Sequence, residues 1–98
     1  MNDQDRKKEP VPLHIPGFVD LQVNGFMGVD FNSESLTEAA FLQAGHALIA
    51  RGTAAFLPTL ITAHETPLRR NLTLIVHALK NDPALARHVQ GFHLEGPF

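Results

Sequence analysis

The sequence predicts an α/β fold in which three parallel strands alternate with two helices. Three segments of strand-like composition, residues 17–23, 53–62 and 89–94, are separated by two segments with helical periodicity. Consecutive strands joined by a helix pair in parallel, with right-handed crossovers. Such a βαβαβ segment forms either an open three-stranded sheet or the opening part of a (β/α)₈ TIM barrel, which averages roughly 31 residues per strand–helix unit.

The composition is that of a globular segment and excludes several classes of protein. Of the 98 residues, 44% are hydrophobic and 18% are charged, which is too apolar a mixture for a disordered chain. There is no cysteine, so disulfide scaffolds and thiolate metal sites are excluded. The net charge of -2 predicts no nucleic-acid or membrane partner. The amino terminus is polar and lacks a secretory signal, so a cytoplasmic protein is expected.

The first strand follows a polar segment. Residues 1–16 are predicted to be an N-terminal tail and connector, because they are charged at first and then interrupted by prolines. Residues 17–98 are predicted to form the domain. Within the strand at 17–23, Asp20 and Gln22 share one face, while the other face is apolar.

The first helix and second strand have clear sequence signals. Ser35 and Glu38 fit a capping box, which places the start of the helix at Ser35, and Gly52 suits the position after its end. Residues 53–62 are apolar on both faces, as expected of a buried parallel strand. Pro58 predicts that the ladder ends or bulges at that point.

The second helix is predicted to have Thr66 as its N-cap and Pro67 at its first helical position, and to stop at residues 81–83. Arg69 and Arg70, on one face of this helix, are expected to be solvated rather than to bind a phosphate. One more helical turn is predicted within residues 83–88, before the third strand at 89–94.

Polar side chains lie at the predicted carboxyl end of each strand, namely Gln22 and Asn24, Thr59 and Thr62, and His93 and Glu95. Sites in parallel α/β folds form at this edge. His93 and Glu95 are two residues apart and therefore point to the same side, where they would converge with Gln22 and Asn24. The pattern alone leaves alternatives open. Glu95 is either a metal ligand or a solvated acid, and His93 is either a site residue or a hydrogen-bonded interior histidine. Gln22 and Asn24 either line a site or cap a strand and its turn.

Three segments together resemble one family, residues 16–25 (PGFVDLQVNG), 57–62 (LPTLIT) and 91–98 (GFHLEGPF). These segments are similar to those of the N-acetylglucosamine-6-phosphate deacetylases of the amidohydrolase superfamily. The match extends from about residue 16 to residue 98. The second and third segments are the specific signals, and the first is shared more widely.

The resemblance implies a metal-dependent (β/α)₈ barrel that hydrolyses N-acetylglucosamine 6-phosphate to glucosamine 6-phosphate and acetate. It implies that Glu95 is a metal ligand. Gln22 and Asn24 stand where many superfamily members have a His-x-His pair, which resembles the branch of deacetylases that uses a single divalent metal ion, here expected to be zinc. Gln22, Asn24 and His93 are then expected to line the site. Full-length members are expected to be homo-oligomers.

The resemblance also implies that the two further metal-binding histidines and the catalytic aspartate follow on later strands. We therefore expect no catalytic residue within this chain, which would be an N-terminal fragment and inactive alone. The alternative is a non-catalytic α/β binding or assembly module that another chain completes.

Overall fold

The computed structural model describes residues 18–62 and 65–96. The predicted tail and connector, residues 1–16, lie outside the described residues. In chain order the elements are β1 (Phe18–Val23), β2 (Gly25–Phe26), β3 (Val29–Asp30), α1 (Glu38–Ala50), β4 (Thr53–Ile61), α2 (Glu65–Lys80), α3 (Pro83–Ala86) and β5 (His93–Glu95). None of the described helices is long and apolar enough to cross a bilayer.

The main sheet has three parallel strands in the order β1-β4-β5, so the predicted α/β class with parallel strands is confirmed. The strand β2 pairs with β3 in a small antiparallel hairpin. Helices α1 and α2 pack against each other and against β4, which puts both on the same side of the sheet. The buried apolar core lies between these two helices and the sheet. It includes Phe41 of α1, Phe56 and Leu60 of β4, and Ile75 of α2.

The N-cap of α1 is Thr37, so the prediction that the helix is capped at Ser35 is wrong. The Thr37 hydroxyl accepts a hydrogen bond from the amide of Ala40 at 3.1 Å. The hydroxyl of Ser35 lies 2.8 Å from that of Ser33 instead. Serine and threonine are both suitable N-caps, and the path of the preceding loop determines which of the two residues starts the helix. The end of the helix is as predicted, because Gly52 follows it with a φ of 109°.

An irregularity in β1 breaks the predicted alternation of its faces. Asp20 pairs with Phe56 and Val23 pairs with Pro58, so β1 advances three residues where β4 advances two. Asp20 and Val23 would lie on opposite faces of a regular strand, but their partners in β4 are two residues apart and share a face. The amide of Gln22, within the irregular stretch, donates to the Asp20 carboxylate at 3.2 Å. The strand β4 itself continues past Pro58 to Ile61.

The third strand is shorter and later than predicted. It covers His93–Glu95 rather than residues 89–94, and Val89 makes only an isolated bridge to Phe56. Gly91, between the two, has a φ of 146°, which is outside the range of a strand. Glu95 is consequently the last residue of β5, where it pairs with Ile61 of β4.

A buried asparagine on α2 holds the loop that precedes α1. Asn71 is 1% exposed, and its Nδ2 donates to the carbonyls of Phe31 at 3.0 Å and Ser33 at 2.8 Å. Its Oδ1 accepts from Arg70, whose guanidinium also donates to the Leu36 carbonyl at 2.8 Å. Arg70 is exposed, as expected of the two adjacent arginines, and in addition it makes these two hydrogen bonds. A buried amide is tolerated here because each of its polar groups has a partner.

We predict that Asn71→Leu lowers the free energy of unfolding by roughly 1–3 kcal/mol, because the buried carbonyl of Phe31 and the part-buried carbonyl of Ser33 lose their donor. Urea unfolding monitored by circular dichroism measures the loss. Thr73→Ala, at an exposed position of the same helix, is the matched control and should change it by less than about 0.5 kcal/mol. Equal losses in the two variants would contradict the prediction.

Two histidine–carboxylate pairs connect α1 with the elements that follow it. His46 Nε2 lies 2.7 Å from Asp82 Oδ2, and His77 Nδ1 lies 2.7 Å from Glu38 Oε2. Asp82 is also the N-cap of α3, where it accepts from the amide of Leu85 at 3.0 Å. The hydrogen bond from His46, followed by that from Leu85, lowers the pKa of Asp82 below its usual value.

A lowered pKa in the folded state means that the stability contributed by Asp82 is present above about pH 4 and is lost as the pH falls through the folded value. We predict that His46→Ala lowers the melting temperature at about pH 5. The difference from the parent should shrink on acidification to about pH 2.5, because progressive protonation of Asp82 removes the charge that the hydrogen bond from His46 stabilises. Thermal unfolding at the two pH values tests this, and a constant difference would contradict it.

Candidate functional site

The structure brings Gln22 and His93 together across the middle strand of the sheet. Gln22 Nε2 lies 3.5 Å from His93 Nδ1, although β4 separates their strands. His93 pairs with Thr59, and the next residue along β4, Leu60, belongs to the core beneath the helices. Because neighbouring strand residues point to opposite faces, His93 and Gln22 lie on the face turned away from the helices.

Glu95 lies at the carboxyl end of this same face. It pairs with Ile61, and its carbonyl accepts hydrogen bonds from the amide of Thr62 at 2.9 Å and from the Thr62 hydroxyl at 3.4 Å. The backbone of Glu95 is therefore fixed, while its side chain is exposed. His93, two residues earlier, points to the same side of β5.

Asn24 is exposed at the start of the hairpin that follows β1. Its carbonyl accepts from the amide of Phe31 at 2.9 Å, which closes the base of the hairpin. Asn24, Asp30, Asn32 and Ile61 help to line an open depression of about 720 Å³ beside the carboxyl ends of the strands. A Cβ at Gly25 would lie 2.1 Å from the Val29 carbonyl oxygen, so only glycine allows the two hairpin strands to approach this closely.

Asn32 is a part of this edge that the sequence did not single out. Its Nδ2 donates to the Thr59 carbonyl at 3.1 Å, and its Oδ1 accepts from the amide of Ile61 at 2.8 Å. The amide of Asn32 donates to the Asp30 carboxylate at 2.8 Å, so the loop presents the side chain in a fixed orientation. A local pattern gave no signal for this role, because its partners on β4 are 27 and 29 residues away along the chain.

The side chains at this edge do not form a complete metal site by themselves. Among residues 18–62 and 65–96, no group of three or more His, Cys, Asp or Glu side chains could hold a metal ion. Catalytic zinc has three protein ligands and one open position. A single carboxylate such as that of Glu95 meets only part of this requirement, so any complete zinc site at this edge requires donors beyond the described residues.

Comparison with known proteins gives a consistent set of relatives. The chain matches no protein-family model. It is 38% identical over 85 residues to a rat protein and 38% identical over 88 residues to a human protein, in each case over 85% of this chain and 20% of the relative. A Haemophilus influenzae protein is 33% identical over 82 residues, covering 84% of this chain and 20% of the relative. All three relatives are named N-acetylglucosamine-6-phosphate deacetylase. The chain thus spans about a fifth of their length.

Proposed function

Because the chain is a homologue of the N-acetylglucosamine-6-phosphate deacetylases over 85% of its residues, we propose that it supplies one part of such an enzyme. The reaction is hydrolysis of the acetamide bond of N-acetylglucosamine 6-phosphate, which yields glucosamine 6-phosphate and acetate. The observation that carries the proposal is the agreement among relatives from mammals and a bacterium. The substrate is accordingly an amino-sugar phosphate.

In this proposal β1, β4 and β5 are the first three strands of a (β/α)₈ barrel. The strand order follows the chain order without a reversal, and α1 and α2 lie on one side of the sheet. A doubly wound sheet would instead reverse its order at a switch point and carry helices on both faces. The face with Gln22 and His93 would then be the barrel interior, and the end with Glu95 would be the catalytic end.

Glu95 is proposed as a zinc ligand, and Gln22, Asn24 and His93 as residues that line the site. The exposed carboxylate of Glu95 at the end of β5 supports the first role, and the contact between Gln22 and His93 supports a shared cavity. Bound zinc lowers the pKa of its water and polarises a carbonyl. The remaining metal ligands must come from outside residues 18–62 and 65–96, since these residues provide no metal cluster. The family resemblance implies that the catalytic aspartate also lies further along the chain.

The proposal is tested by replacing the aligned segment of the Haemophilus influenzae relative with residues 16–98 of this chain. We expect the folded hybrid to release acetate from N-acetylglucosamine 6-phosphate. Glu95→Gln in the hybrid should lower kcat/KM by more than about 100-fold, a loss larger than that usual for residues around a metal ligand. Acetate release at saturating zinc is the measurement.

Glu34→Gln is the matched control, because Glu34 is an exposed carboxylate in the loop before α1. It should leave kcat/KM within about twofold, as expected of a surface substitution away from the site. A folded hybrid without activity would contradict the proposed function. An active hybrid that tolerates Glu95→Gln would contradict the role assigned to Glu95.

We predict that the 98-residue chain alone binds zinc with a Kd no lower than about 10 µM, because one carboxylate supplies fewer ligands than the three that a catalytic zinc site requires. It is also predicted to release no acetate above a blank that contains only metal. Titration calorimetry with zinc and a coupled acetate assay measure the two properties. Tight binding of one zinc ion that disappears in Glu95→Gln would refute the first prediction, and turnover by the chain would refute the second.

A further inference from the structure

We propose that Asn32 is a positioning residue for Glu95, because its carboxamide occupies the place of a neighbouring strand beside the carboxyl end of β4. The assignment of a metal-binding role to Glu95 rests on the proposed function, but the positioning itself does not. Asn32 forms hydrogen bonds to β4, and β4 pairs with β5, whose last residue is Glu95.

The hydrogen bonds of Asn32 reproduce those of a parallel strand. A residue in a parallel ladder accepts from the amide one position beyond its partner and donates to the carbonyl one position before it. The carboxamide of Asn32 accepts from Ile61 at 2.8 Å and donates to Thr59 at 3.1 Å, so it acts as a peptide group opposite Leu60. Both atoms of the amide are thereby assigned by their partners.

The substitute is needed because β1 leaves the sheet before β4 ends. The last paired residue of β1 is Val23, which is opposite Pro58, and the chain then turns into the β2–β3 hairpin. Without another partner, the Thr59 carbonyl and the Ile61 amide on that edge of β4 would lack their ladder bonds. Asn32 supplies both, and it is held in place by the bonds that Asn71 makes to the carbonyls on either side of it.

The effect reaches Glu95 through the other edge of β4. Leu60 and Ile61 pair with Leu94 and Glu95, and the Thr62 amide donates to the Glu95 carbonyl at 2.9 Å. The end of β4 is therefore hydrogen-bonded on one edge to Asn32 and on the other edge to β5. Release of the first edge frees the terminal residues of β4 to move, and the Thr62–Glu95 bond moves with them.

Amide hydrogen exchange measured by NMR on the 98-residue chain tests the inference, with no metal or substrate required. In Asn32→Ala, the amides of Ile61 and Thr62 should exchange about tenfold faster, which corresponds to the loss of one ordinary hydrogen bond. The amide of Phe56, which donates to the His88 carbonyl at 2.9 Å, is the internal reference and should not change. Ser35→Ala, in the same loop, is the matched control and should leave all three unchanged.

Asn32→Asp separates positioning from general stability, because it keeps an acceptor oxygen for the Ile61 amide and loses the donor to Thr59. Because its second carboxylate oxygen would face the Thr59 carbonyl oxygen and repel it, exchange at Ile61 and Thr62 should be faster than in the parent, while that of Phe56 stays unchanged. Faster exchange at Ile61 alone, no change at either amide, or equal acceleration of all three amides in both variants would overturn the inference. None of these results bears on the hybrid deacetylase assay, so the two proposals fail independently.

Discussion

The position of the loop between β3 and α1 is fixed by two asparagine carboxamides, and the edge of the sheet that carries the candidate site depends on it. Asn71 reaches out of α2 to the carbonyls on either side of Asn32, and Asn32 reaches the end of β4. Each net hydrogen bond contributes only about 1 kcal/mol, but an unpaired buried group costs more, so the amides select one loop geometry rather than adding much stability.

The stability comes from the other face of the sheet. Phe31, Phe41 and Phe56 are almost fully buried between the sheet and the helices, and each such side chain contributes roughly 1.5–3 kcal/mol on burial. The rings of Phe31 and Phe41 are 5.2 Å apart, so the loop that holds Asn32 also contributes to the core. This division puts the apolar packing on the helix side of the sheet and the polar side chains of Gln22, His93 and Glu95 on the opposite face.

The candidate site is well placed and chemically incomplete within this part of the chain. One carboxylate at the end of a parallel strand is the kind of ligand that a hydrolytic zinc enzyme uses, but zinc needs further donors to be held. The relatives are about five times longer than the matched segment, which leaves room for those donors in the rest of such a protein. The described residues thus provide a parallel sheet and one exposed carboxylate at its edge, and the proposed reaction is that for which the relatives are named.

Local sequence patterns predict the alternation of strands and helices, the parallel sheet, the end of α1 at Gly52 and the position of Glu95 at a strand end. These features depend on hydrophobic periodicity, glycine and proline, which act over a few residues. Three features became apparent only in the folded chain: Thr37 caps α1, β1 is irregular after Asp20, and Asn32 and Asn71 bridge separate elements. The bridges made by the two asparagines, for example, join residues 27 to 40 positions apart, such as Asn32 with Thr59 and Asn71 with Phe31. A local pattern carries no information about such partners, because the same asparagine is equally suited to a solvated turn or to a buried bridge.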